Sequence, residues 1–145
     1  MISNKGFTLV EILIVVVILG ILAAIVVPQL SNSSTEVKNS ALATDLRKVR
    51  TQIELYKFHH KEMLPASSGE TTDDFEQRIT EKTDSDGNAG TDYGPYMQRI
   101  PLNPFNNLNT VRIDGSAAGA NTDGWRFDTS SGDFQADDSV LHAEF

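Results

Sequence analysis

Between Phe7 and Val27 the sequence reads FTLVEILIVVVILGILAAIVV, and its single ionisable residue is Glu11. At 1.5 Å per residue a helix of about 21 residues spans about 30 Å, the thickness of a bilayer's hydrocarbon core. A run of this length cannot be folded into a small core and is read as membrane-spanning. An unpaired acid near the centre of such a helix costs about 2.5 to 3.5 kcal/mol, so Glu11 needs a partner. A secretory signal peptide has a shorter apolar stretch and a small-residue cleavage site behind it. Here Ala23-Ala24 is followed by Ile25, Val26 and Val27, so apolar character continues past the small pair. A plain signal anchor accounts for the length of the run but leaves Glu11 unexplained.

The stretch GFTLVEILIVVVILGILAAIVVPQL, preceded by a short leader with Lys5, resembles the N-terminus of type IV pilins and type II secretion pseudopilins. The resemblance implies cleavage after Gly6 by a prepilin peptidase, N-methylation of the new terminal residue Phe7, and an assembly role for Glu11, fifth in the mature chain. Gly20 and Pro28 stand where such chains commonly carry a glycine and a helix-perturbing proline. Cleavage would supply the missing partner: an α-amine with a pKa of about 7.7 to 8.0 is mostly cationic at neutral pH. At about 4 Å and an effective dielectric of 20, its attraction to a carboxylate is on the order of 4 kcal/mol before desolvation. Between staggered chains this pair would set axial register. Gly20 would permit close helix packing, and Pro28 removes one amide donor and predicts a kink.

The polar stretch SNSSTEVKNSA could initiate a second helix, with Ser34 or Thr35 as caps. Leu42, Leu46, Val49, Ile53 and Tyr56, extended by His60 and Met63, then recur at alternating steps of four and three, one stripe of an amphipathic helix that Pro65 stops. Read continuously from Phe7, the helix would hold about 58 residues over about 87 Å. Thr72-Asp73-Asp74 can cap a short helix with Phe75 and Ile79 turned inward. Thr110-Val111-Arg112-Ile113 is a strand candidate, and GWRFDTSSGDFQAD reads as a hairpin with Trp125, Phe127 and Phe134 facing the stripe. The terminal SVLHAEF is expected to add a strand or fray. The expected fold is α+β and pilin-like: a long N-terminal helix, half apolar stem and half amphipathic, packed on a small antiparallel sheet. The expected divisions are a leader at 1–6, a stem at 7–30 and a globular head at 31–145.

Little in this sequence points to catalysis. Net charge is −8, with no basic cluster to track a nucleic-acid backbone, and no cysteine is present for thiolate chemistry or disulfides. No nucleophile elbow, Walker loop or dinucleotide fingerprint occurs. His59 and His60 are adjacent, hence about 100° apart on a helix and poorly placed to chelate one ion; with His142 they read as solvated or half-packed. Calcium is the one candidate ligand. Asp84, Asp86, Asn88 and Asp92 crowd a loop without the EF-hand spacing, while Asp123, Asp128, Asp133, Asp137 and Asp138 crowd the C-terminal hairpin. Resemblance to major pseudopilins, which have a calcium site in the C-terminal loop, singles out this second group. The segment Ile100-Pro101 through Pro104-Phe105 resembles theirs too, with Asn103 at a place where an acid or similar polar residue is usual.

The resemblance implies a structural filament subunit of the inner membrane, spanning once with its head on the extracytoplasmic side. Its partners would be further copies, minor pilins or pseudopilins, the prepilin peptidase/methyltransferase, an assembly platform with its ATPase, and lipid before assembly. The absence of cysteine favours a major pseudopilin of type II secretion over a disulfide-bearing type IV pilus subunit, which stays open. A membrane-anchored ligand-binding module or enzyme with a pilin-type leader is the alternative of another class.

Overall fold

The computed structural model describes residues 6–145, apart from the side chains of residues 27–33. Helix α1 runs Leu9–His59. Two units divide the chain at Val37 and Lys38.

In the first unit every described residue from Gly6 to Val26 is exposed, including Leu9, Ile12, Val16, Leu19 and Leu22. The segment Leu9–Val26 is long and apolar enough to cross a membrane. Ser34 and Thr35 lie within α1 and start no second helix. The kink expected at Pro28, and the leader residues 1–5, fall outside the described residues.

The second unit is built on the far half of α1. Leu42, Leu46, Val49, Ile53 and Tyr56 are all buried, so the alternating spacing read from sequence is the stripe that faces the core. α1 ends at His59, short of Pro65. Lys61 and Glu62 turn into the left-handed region, and the Glu62 N–H donates back to the Lys57 carbonyl, closing the helix with a wide turn. Met63 is accordingly left at the edge, 37% exposed.

Helix α2 (Thr72–Thr80) starts from Thr71, whose backbone N–H donates to the Asp74 carboxylate at 2.8 Å, one half of a capping box. Its buried pair is Phe75 and Ile79, as the sequence implies. Phe75 lies 5.0 Å from Phe127 and 5.9 Å from Phe134, ring centre to ring centre.

Three short strands, β1 (Val111–Ile113), β2 (Trp125–Phe127) and β3 (Phe134–Ala136), form one sheet in that order. β2 and β3 are the expected antiparallel hairpin, Phe127 opposite Phe134, turned through Gly132 at φ +80°. β1 and β2, however, run parallel, Val111 beside Trp125, so the sheet is mixed and not purely antiparallel. A parallel pair requires the chain to travel back along the sheet between strands, and residues 114–124 form that crossover. Trp125, Phe127, Phe134 and Ala136 are fully buried, with the Trp125 indole N–H donating to the Pro101 carbonyl at 2.8 Å. The C-terminus forms a short helix, α3 (Val140–Ala143), capped by the Ser139 hydroxyl, where a strand or fraying was expected.

Candidate functional site

Glu11 stands at the third position of α1 and looks back to its start. The backbone N–H and the hydroxyl of Thr8 both donate to Glu11 Oε2, at 2.8 and 2.7 Å, and the Glu11 N–H approaches the Thr8 hydroxyl at 3.3 Å. This reciprocal cap satisfies donors that the first turn of any helix leaves open. Sequence reasoning passed over Thr8, although the run T-L-V-E ahead of apolar residues is the recognised spelling of this motif. Phe7 lies just outside the helix and is 77% exposed. A Cβ added at Gly6 or at Gly20 would meet no group beyond its own chain neighbours and helix backbone within 4 Å, so the helix surface at Gly20 is open to a close approach.

In the second unit the five hairpin acids do not converge on a common point. Asp137 is fully buried and pairs with Arg112, Nη2 to Oδ1 at 2.6 Å. Oδ1 also accepts the N–H groups of Gly119 and Ala120, while Oδ2 accepts the Thr122 hydroxyl and the Asp123 N–H. Burial pushes the Asp137 carboxyl upward, but Arg112 and these amides outweigh it and hold the group below the ordinary aspartate range. Asp128 is bound by Arg126 and by the Ser130 hydroxyl, Asp133 by the Ser131 hydroxyl, and Asp138 by Asn103 and His142. Asp123 enters the cluster through its backbone. Calcium needs six to eight oxygens with free lone pairs. Here the carboxylates of Asp128, Asp133, Asp137 and Asp138 face N–H and O–H donors, and as placed these four do not fit the ion. Among the described residues, no group of three or more histidines, aspartates and glutamates is placed to hold a metal.

Two polar residues are more deeply placed than the sequence suggests. His60, read as solvated or half-packed, is fully buried on the core stripe, stacked on Tyr56 at 3.8 Å between ring centres. Its Nδ1 donates to the Tyr56 carbonyl, which can only accept, and Nε2 meets the Thr83 hydroxyl at 2.9 Å. Asn103 is also fully buried. Its amide donates to the Gly124 carbonyl and to Asp138, and its Oδ1 accepts the Phe105 N–H at 2.9 Å. The proline-rich segment is thereby tied to both ends of the C-terminal hairpin region.

An exposed apolar helix headed by a carboxylate cap, together with an α+β unit whose core is helix stripe against small sheet, defines a pilin-like protein. The family model described as the prokaryotic N-terminal methylation motif matches residues 1–27. Type II secretion system core protein G of Pseudomonas aeruginosa is 30% identical over 105 residues, covering 72% of this chain and 70% of that protein. Its counterpart in Vibrio cholerae is 33% identical over 105 residues, covering 72% and 68%, and that of Escherichia coli K12 is 27% identical over 105 residues, covering 72% and 69%. No solved structure gives a significant match. The chain belongs to the type II secretion core protein G family, the major pseudopilins, which are structural subunits and not enzymes.

Proposed function

We propose that this chain is cut after Gly6, N-methylated on Phe7, held in the inner membrane by a single pass, and stacked into a fibre that supports protein export. The observation that carries the reading is the joint presence of the methylation motif over residues 1–27 and a wholly exposed apolar helix segment, Leu9–Val26. Residues 31–145 would lie on the extracytoplasmic side. Processing calls for a prepilin peptidase/methyltransferase, and extrusion for an assembly platform with its ATPase and for minor pseudopilins.

The physical step is an exchange of surroundings, apolar stems leaving lipid to touch one another. Lipid is already apolar, so burial supplies little net drive, and packing and charge must choose the register. Both Thr8 bonds fall on Oε2 of Glu11, and the second carboxylate oxygen remains for another donor. The methylated ammonium of Phe7 on a neighbouring copy is that donor in this reading. Gly20 lets the stems approach, and a kink at Pro28 would let them bend around one another.

Mass spectrometry of the membrane-bound protein, followed by electron microscopy of sheared material, tests the proposal. A chain beginning at N-methyl-Phe7 and present in fibres is expected. Recovery of the intact MISNKG terminus from otherwise normal fibres overturns it.

A further inference from the structure

The crossover at 114–124 is the segment that makes β1 and β2 parallel, and it is wrapped around an ion pair. On one side its carbonyls turn toward Arg112: Nη1 donates to Asp114 O at 2.7 Å and Ser116 O at 2.8 Å, and Nη2 to Ala117 O at 3.4 Å. On the other side its N–H groups turn toward Asp137, those of Gly119 and Ala120 to Oδ1 and that of Asp123 to Oδ2. Successive peptides thus form an oxygen-lined cup for a cation, then a nest for an anion, with the guanidinium and carboxylate in direct contact between them. The backbone bends sharply to do this, with Asp114, Gly115, Gly119 and Asn121 all at positive φ.

Three carbonyls and a carboxylate converging on one positive centre is the donor chemistry of a calcium site. We infer that Arg112 is the resident cation of this loop, its planar fork taking the place of a divalent metal, so that the C-terminal region orders without calcium. A guanidinium suits the position because its donors diverge in a fixed plane and it stays charged at any working pH. The cup is filled by a covalently attached charge and is therefore independent of ion supply outside the cytoplasm. This departs from the calcium site implied by the resemblance to other major pseudopilins, and it rests on Arg112 and its acceptors alone.

Thermal unfolding of the full-length protein in detergent, followed by near-UV circular dichroism, distinguishes the alternatives. The midpoint is expected to be the same in excess EGTA as in millimolar calcium chloride. A rise in calcium that EGTA reverses overturns the inference. In EGTA, Arg112→Gln should lower the midpoint by about 10 °C or more, because it leaves buried Asp137 without its counter-charge. An unchanged midpoint for that variant overturns the inference as well. Should Arg112→Gln fail to fold, Arg112→Lys takes its place: one ammonium cannot span the same acceptors, and a midpoint equal to wild type counts against the guanidinium.

Discussion

Thr8 and Glu11 close the start of α1 on each other, two Thr8 donors meeting one carboxylate oxygen at 2.8 and 2.7 Å. The acid that looks misplaced in an apolar run is therefore partly satisfied within its own chain. The same pair would persist in a chain beginning at Phe7, because both residues lie beyond the cut. The observed cap and the register role proposed for Glu11 are separable, and substitution can tell them apart.

Glu11→Ala should insert and be processed normally yet lower the fibre yield by about tenfold or more, which corresponds to about 1.4 kcal/mol per subunit. Thr8→Ala removes only the cap, worth about 1 kcal/mol, and should assemble close to wild type. Immunoblots of sheared and membrane fractions, with the terminus checked by mass spectrometry, give both readings. Equal loss in the two variants would assign Glu11 to capping alone.

Trp125→Ala should destabilise the second unit by about 3 to 5 kcal/mol, since it empties a fully buried site and frees the Pro101 carbonyl. Leu46→Ala, on the facing stripe, should cost about 2 to 5 kcal/mol. Denaturant titration monitored by circular dichroism checks both. Losses below about 1 kcal/mol would mean that the helix stripe and sheet do not share one core.

Asn103→Asp places a carboxylate against the Gly124 carbonyl and the Asp138 carboxylate, both of which now receive N–H donors. A cost of about 2 to 4 kcal/mol is expected from the lost bonds and the buried like charges. The same titration measures it, and a stability equal to wild type would show that Asn103 is not a bracket.

The head should be stable from neutral pH to the edge of the carboxylate range and weaken in acid. The Thr71 N–H holds Asp74 below its usual range, the Asn88 N–H does so for Asp84, the Thr129 N–H for Asp114, and the Arg78 guanidinium for Glu70. A carboxylate with a folded pKa below its unfolded one adds stability above about pH 4 and loses it as pH falls through the folded value. At the alkaline end, burial pushes Tyr56 up to about 12. The neutral phenol is then favoured by folding, and that contribution is lost as pH rises from about 10 towards 12. Melting curves across pH check both limbs; an acid limb of opposite slope would contradict the hydrogen-bond assignments.

Much of this architecture is local and so was readable in advance. The stripe Leu42, Leu46, Val49, Ile53 and Tyr56 follows from helix periodicity, α2 from its acidic first turn, and the β2–β3 hairpin from alternation around Gly132. The helix end was misjudged because Lys61 and Glu62 adopt left-handed backbone where glycine would usually announce it. The strand or frayed end expected at the C-terminus is instead α3, whose Ser139 cap is set beside the sheet. His60 continues the stripe by spacing, but the partner of its Nε2, the Thr83 hydroxyl, lies 23 residues further along the chain.

By itself the sequence determined the apolar stem, its lone acid and the helix face that must be covered, because each is a matter of side-chain chemistry along a short stretch. Only the tertiary structure decided that β1 and β2 run parallel and that Asp137 faces Arg112 and backbone amides, while Asp128, Asp133 and Asp138 are taken up by other donors. Those outcomes depend on which groups meet across the crossover, where one guanidinium and one buried carboxylate divide the peptide dipoles between them.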